Sequence, residues 1–297
     1  MKVTKELLKE MKQGDYVVVK TLGQLIDSGV IIDVEETKVK DVLGTFKTSF
    51  KSSAANRSKN VSTGAGHING TVLYPGETFS TYEHVTPFSE KNGYAMAGSY
   101  LNGKTVESLG GGICQVSSTL YNAVLMAELE IVERSPHSMM VTYVQASADA
   151  AIAGTYKDFK FKNNTNAPIY IEGYTTDGKQ VVFNIYGEET RPSNRTIKFT
   201  NKVLESTPAV TQLVADPAQG IGYRIVESGH NGCKAELYKE VYVDGVLQSS
   251  EKVNKSNYKV SNRMVYYGIN GDPFVSAQLQ NCIAAGDEAG ANALLGI

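Results

Sequence analysis

Between Ile113 and Ser135 the chain holds neither glycine nor proline, although its 297 residues include 28 glycines and 8 prolines. Immediately before that window stand Gly110, Gly111 and Gly112. Inside it, Ile113, Val116, Leu120, Val124 and Ala127 keep the spacing of one helical face. The spacing predicts a single long helix launched from a glycine corner. The other segments are short, punctuated by turn residues and rich in Thr, Val and Tyr, which favour strands. The expected fold class is therefore α+β: a mixed, β-rich domain with one long helix following a Gly-rich turn, plus a small all-β C-terminal module.

The local patterns fill in this outline. "TVLYPGETFS" reads as a strand entering a Pro75-Gly76 turn, and the polar run before it, from Asn56 to Gly70, reads as turns. "GSYLNGKTVES" is a hairpin about Asn102-Gly103. "IVERSPHSMMVTYV" reads as strand, corner at Ser135-Pro136, strand. "DFKFKNNTNAPIYIEGY" and "QVVFNIYG" read as further strands. "EETRPSNRT" has the composition of a linker, and an all-β stretch runs from about 196 to 268. The Ala-rich C-terminus predicts a fraying helix or a tail. Residues 3–11 suggest a short helix, and "YVVVKTL" and "GVIIDVEE" suggest strands.

Net charge is −2, which gives no basic face for nucleic acid. No segment approaches the ~18 apolar residues of a membrane helix. The first residues are too charged for the apolar core of a signal peptide, so the chain is either cytosolic or a trimmed piece of an exported protein. The three cysteines, Cys114, Cys233 and Cys282, form neither a disulfide framework nor a zinc pattern. Cys233 and Cys282 can pair only if the fold brings them together. No metal and no cofactor is expected.

Cys114 follows the three glycines directly. At the first turn of a helix, free N–H groups favour thiolate over thiol and can hold a developing oxyanion. Glycine permits positive φ and close approach of backbone to a ligand. A thiol nucleophile needs a base, and the chain has four histidines: His67, His84, His137 and His230. A helix over 115–129 rises ~21 Å from Cys114. An extended return over 130–137 covers ~23–26 Å. An antiparallel return therefore lands His137 beside Cys114. His67 and His84 lie in turn-rich stretches, and His230 belongs to the later module. Asp149 and Asp158 are candidates to orient the imidazole. Arg134 and Arg57 suit either a substrate carboxylate or a structural ion pair.

Several separated blocks, in order, carry a resemblance: "TVLYPGETFS", "GYAMAGSYLNGKTVESLGGGICQVSSTLYNAVL", "IVERSPHSMMVTYV" and "DFKFKNNTNAPIYIEGY". They are similar to the VanW domain, over about 46–190. The family's cysteine falls on Cys114, and its His-Ser pair on His137 and Ser138. The resemblance implies a cysteine L,D-transpeptidase of peptidoglycan. Cys114 would be the nucleophile, His137 the base and Asp149 its partner. Gly112, Gln115, Ser138, Arg134 and Arg57 would bind substrate. The product is a 3→3 crosslink made through a thioester, with release of D-Ala. The alternatives are a non-catalytic cell-wall-binding protein, or a cysteine carboxypeptidase or endopeptidase on the same substrate.

This chain departs from the family at Ser147, in "SADAAI", where members often carry glycine; the local backbone around Asp149 depends on that position. Residues 191–270 resemble the G-five module of cell-surface proteins, a thin β-module thought to bind glycan or act as a spacer. Residues 1–45 are similar to the end of a peptidoglycan-binding-like domain, and residues 271–297 form a C-terminal tail or helix. The resemblance implies an extracytoplasmic, monomeric protein at the cell wall, anchored by a segment outside this chain. Its partners would be stem peptides and glycan.

Overall fold

The computed structural model describes residues 39–297 except 102, 103 and 155. The helix and strands expected before residue 39, and the tip of the Asn102-Gly103 hairpin, lie outside the described residues.

Among the described residues, five groups of strands and five α-helices build a mixed architecture. The first sheet is antiparallel with order β1-β9-β8-β2, from β1 (Asp41–Ser49), β2 (Thr71–Leu73), β8 (Ile169–Thr175) and β9 (Gln180–Gly187). Two helices cover it: α1 (Ala55–Ile68) and α3 (Ile113–Met126). A short helix α2 (Thr81–Val85) follows β3 (Thr78–Ser80). The hairpin β4 (Met96–Leu101) and β5 (Lys104–Leu109) leads into the glycine corner. A small sheet, β3-β7-β6, closes the domain with β6 (Glu130–Glu133) and β7 (Lys160–Lys162).

Helix α3 is buried along nearly its whole length and round its whole circumference, so its polar residues need internal partners. Thr119 Oγ1 donates to Gln115 O and meets Thr48 Oγ1 of β1 at 2.8 Å. Asn122 Nδ2 donates to Ser118 O and Ala148 O. The apolar face, including Val116, Leu120 and Val124, packs with Ile68, Phe159, Phe183 and Ile185 in the main core. This helix matches the expectation from the glycine-free window.

Helix α1 was expected as turns. Its Asn, Ser, Thr and Gly residues have weak helix propensity, and its N-cap, Ala54, makes no side-chain capping bond. Tertiary packing selects the helix instead: Val61, Ala65 and Ile68 are fully buried, and Gly64 brings α1 against the Ile113 side chain.

The expected strand after Ser135-Pro136 does not form. Residues 134–152 are irregular, because their hydrogen bonds go to side chains and to other segments. The His137 N–H binds the Asp149 carboxylate, and Ser138 O accepts from Lys259 N.

The C-terminal part holds two three-stranded sheets. Sheet β10-β13-β14 is antiparallel, from β10 (Arg195–Thr207), β13 (Gly232–Val243) and β14 (Val246–Tyr258). In β11-β15-β12, strand β11 (Thr211–Gly220) runs parallel to β15 (Arg263–Asn270), and β12 (Arg224–Glu227) antiparallel. The Ala-rich terminus takes the helical alternative and not the tail. It forms α4 (Pro273–Ala285) and α5 (Glu288–Leu295), which pack on Val265 and Tyr267 through Leu279 and Ala291. Cys282 packs with that cluster while Cys233 lies in β13 beside Ala235 and Tyr258; both are free, so the conditional pairing is not made.

The first half of the C-terminal part is joined to the main domain. Leu237 of β13 belongs to the main core, and Phe199 and Val253 pack against it. At the other end of the contact, Glu128 follows α3 with φ 57° and collects three cations. Arg195 makes a two-pronged bond at 2.6 and 2.8 Å, Arg191 lies at 3.2 Å, and Lys239 completes the cluster. Burial alone would raise the Glu128 pKa, but Arg195, Lys239 and Arg191 outweigh it and hold the carboxyl down to about 2.

Glu128→Gln keeps the shape and removes the charge. Its expected cost is about 1–3 kcal/mol, below that of a fully buried pair because the cluster is partly wet. The folded pKa lies below the ordinary 4.5. This contribution is therefore complete above pH ~4.5 and disappears as the pH falls towards ~2. Urea unfolding of wild type and Glu128→Gln at pH 7 and pH 3 checks it: the gap between the two proteins narrows at the lower pH.

Candidate active site

The glycine corner has two jobs. Gly111 lies so close to β4 that a Cβ there would sit 2.3 Å from Ala97 O, and Asn60 Nδ2 donates to Gly111 O at 2.9 Å. Gly112 is the N-cap of α3 at φ 111°, a conformation closed to ordinary L-residues. The corner thus serves packing and helix entry, and it sets Cys114 as the second residue of α3. Of the N–H groups from Gly112 to Gln115, those of Ile113 and Gln115 close the turn onto Gly110 O and Gly112 O. Those two N–H groups are thus committed to the turn.

Cys114 is partly exposed, and its thiol donates to Ile152 O at 3.4 Å. His137, brought back by β6 and the Ser135-Pro136 corner, faces it. The Asp149 carboxylate fixes the imidazole: Oδ2 accepts from the His137 N–H at 2.7 Å and lies 2.6 Å from Nδ1. With Nδ1 so held, Nε2 is the nitrogen left for the thiol; it is buried and makes no hydrogen bond among the described residues. The two groups are nevertheless close enough to alter each other's titration. Burial pushes the Cys114 thiol up, but the contact with His137 and its charge more than offset this, and the net direction is down. Burial pushes His137 down, but Asp149 and Cys114 outweigh it and raise it to about 9. Burial pushes Asp149 up, yet His137 first and Arg134 next hold it down to about 2. All three directions favour a thiolate–imidazolium pair beside a carboxylate.

The other expected residues divide. Arg134 is not free for substrate. Its Nε and Nη2 bind Asp149 O and Oδ1 at 2.6 and 2.9 Å, Nη1 binds Ser256 Oγ at 3.0 Å, and the side chain is buried. Its role is to hold Asp149. Gln115 borders the groove described below, but its Nε2 is committed to Thr48 Oγ1 and Ser49 O. The exposed Ser138 is tied to the C-terminal part by its carbonyl. Asp158 is structural, accepting from Ser80 Oγ and Tyr82 N. Arg57 lines the groove, with one nitrogen held by Ser53 Oγ at 2.6 Å.

That groove, about 610 Å³, is lined by Gln115 and Tyr143 but not by Cys114, His137 or Asp149 themselves. Arg57, Met96, Glu107, Gln115, Tyr143 and His230 are among its walls. Tyr143 packs edge-on to His137 at 6.5 Å, and its hydroxyl interacts with Ser118. Burial and then the Cys114 charge raise its pKa well above the ordinary value. His230 reaches the groove from the C-terminal part, although its place in the sequence assigned it elsewhere. Tyr143 and His230 carry no local sequence signal; only the folded loop and the docked sheets bring them here. Position 147, where the expected glycine is replaced, takes φ 68°, and the serine is held there by Ser147 N to Tyr258 Oη (2.7 Å) and Ser147 Oγ to Ala235 O (2.9 Å).

The thiol should react with iodoacetamide below the range of an ordinary cysteine, ~8.5. His137→Ala leaves the burial but removes the cation. Alkylation of the Cys114 peptide at pH 7, followed by mass spectrometry, should then slow about tenfold or more. Cys233, whose pKa burial raises, provides a slow internal reference.

Residues 56–186 match the family model described as VanW like protein. Over 140 residues the chain is 41% identical to YoaR of Bacillus subtilis (strain 168), which covers 47% of this chain and 46% of that protein. It is 28% identical over 140 residues to the vancomycin B-type resistance protein VanW of Enterococcus faecalis, covering 45% of this chain and 50% of that protein. The chain thus spans about half the length of these curated relatives. Two solved G5 domains are also similar, each to 26% of this chain. HP0197-G5 is covered over 100% of its length at 23% identity and TM-score 0.16, and the IgA1 protease G5 domain over 94% at 20% and 0.20. Residues 56–186, which contain Cys114, His137 and Asp149, are a VanW-like domain.

Proposed function

We propose that this protein is a cysteine L,D-transpeptidase acting on peptidoglycan stem peptides at the cell wall. The observation that carries the reading is geometric: the Asp149 carboxylate holds the His137 imidazole through its backbone N–H and Nδ1, which leaves Nε2 for the Cys114 thiol, and the direction of both groups' titration agrees with it. A vancomycin-resistance protein among the relatives is consistent with a cell-wall substrate.

The chemistry is acyl transfer in two steps. The Cys114 thiolate attacks the carbonyl of the third stem residue, and the N–H groups of Gly112 and Cys114 receive the oxyanion. The C–N bond to the terminal D-Ala breaks, and His137 gives its proton to the leaving amine. A thioester remains. The side-chain amine of a diamino acid on a neighbouring strand attacks it and loses a proton to His137. The C–S bond breaks, and the thiolate is restored. Asp149 holds the imidazole in one tautomer through both steps, and Arg134 holds Asp149. The groove lined by Gln115 and Tyr143, with Arg57 and His230 also on its walls, receives the peptide. The C-terminal sheets resemble the G-five module in sequence, which fits residence at the wall.

Incubation with a disaccharide-tetrapeptide should yield a dimer lighter by one D-Ala, and intact mass should show a thioester adduct on wild type. Cys114→Ala should form neither, and His137→Ala should slow acylation by ~10²-fold or more. An adduct persisting in Cys114→Ala would end the proposal. Shortened stems without dimers would make the protein a carboxypeptidase on the same thioester. Retention on sacculi with no D-Ala release would leave a wall-binding protein.

A further inference from the structure

Strand β14 sends three side chains from one face into the VanW-like domain, spaced two residues apart as a strand dictates. Asn254 Nδ2 donates to Tyr121 Oη at 2.7 Å. Ser256 Oγ accepts from Arg134 Nη1 at 3.0 Å. Tyr258 donates its hydroxyl to Asp149 Oδ1 at 2.5 Å and accepts from Ser147 N at 2.7 Å. Ser256 and Tyr258 are buried, at 5% and 3% exposure, so these bonds replace water rather than compete with it. On the neighbouring strand, Ala235 O accepts from Ser147 Oγ, which pins the left-handed residue two positions before Asp149.

Each Asp149 oxygen therefore has two donors. Oδ2 takes the backbone N–H and Nδ1 of His137. Oδ1 takes Arg134 and Tyr258. One of these four comes from outside the VanW-like domain, and so does the anchor on Arg134.

We propose that Tyr258 is a positioning residue of the Cys114–His137–Asp149 site, and that the C-terminal sheet bearing it is a working part of the active site rather than a detachable module. The inference rests on reading Cys114 and His137 as nucleophile and base. Tyr258 acts at one remove: it fixes the carboxylate that fixes the imidazole. Without its hydroxyl, Asp149 Oδ1 is left to Arg134 alone and the buried Ser147 N–H loses its acceptor. The carboxylate can then turn away from Nδ1, and the imidazolium is no longer held against the thiolate. The charged and titratable groups that face this chain of contacts are Arg134 and Tyr258 on Asp149, Tyr143 on Cys114 and His137, Arg57 on Tyr143, and Tyr121 on Arg134.

The test needs no substrate, so it separates this inference from the proposed reaction. The full chain is alkylated with iodoacetamide across pH 5–10, and the Cys114 peptide is followed by mass spectrometry. Tyr258→Phe keeps the ring and removes the hydroxyl. Lys239→Ala weakens the same contact between the two parts at the distant Glu128 cluster, and serves as the control for general loosening. Tyr258→Phe is expected to move the profile to higher pH, with alkylation at pH 7 slowed about threefold or more, while Lys239→Ala lowers Tm without moving the profile. Ser256→Ala, which frees one nitrogen of Arg134, is expected to move it in the same direction and by less. A Tyr258→Phe profile that coincides with wild type, or shifts to lower pH, overturns the inference. So does an equal shift in Lys239→Ala, which would make the effect one of docking alone. A wild-type Cys114 that titrates as an ordinary thiol overturns both this inference and the nucleophile–base reading. If Tyr258→Phe fails to fold, Ser256→Ala carries the same comparison.

Discussion

The carboxylate of Asp149 is the point on which the rest of the arrangement turns. A buried carboxylate without partners is costly, and this one is fully buried. Four hydrogen bonds and the charges of Arg134 and His137 make it tolerable. Those same contacts fix three things at once. They orient the imidazole, they lock the irregular segment from Arg134 to Ile152 into one path, and they tie that segment to β14. Remove the carboxylate and Arg134 becomes an uncompensated buried cation. Stability and site geometry are here one network.

The electrostatics are arranged in a chain. Arg134 and Tyr258 steady Asp149, Asp149 raises His137, and His137 lowers Cys114. Burial opposes the charged form at each of these last three groups, and the pairing overcomes it at each. The place of Cys114 in the first turn of α3 adds the helix dipole to the same bias. In the proposed reaction this bias favours the thiolate that the acyl transfer needs.

The two halves of the chain meet along two separated contacts, and both follow from strand β13 and its neighbours. At one end Lys239, with Arg191 and Arg195, surrounds Glu128. At the other, Ala235, Ser256 and Tyr258 reach Ser147, Arg134 and Asp149. Between them Leu237 enters the main core. An apolar centre flanked by charged and polar contacts gives a defined register. The side chains that reach the site therefore arrive at fixed positions. Ser147 shows the consequence: a left-handed residue that is not glycine is held by bonds from the other half of the chain.

What the sequence determined by itself was local. The glycine-free window fixed α3, because nothing in it breaks a helix, and Gly112 fixed where that helix begins, because few residues other than glycine accept its φ. Chain lengths along α3 and β6 brought His137 back to Cys114, since rise per residue is set by backbone geometry. Helix α1 was not legible, because its propensities are poor and its stability comes from burial against α3 and the sheet. Nor was the irregular path after Ser135-Pro136, where the residues read as a strand but side chains took the backbone's hydrogen bonds. Arg134 and Gln115 had the right chemistry for substrate, yet the tertiary structure committed both elsewhere. Tyr143, His230 and Tyr258 carried no signal at all: the last two lie more than ninety residues from His137, and only the tertiary structure places His230 on the groove and Tyr258 on Asp149. Short-range geometry is written in residue type and spacing, whereas the partners of a buried charge depend on which distant surfaces exclude water together.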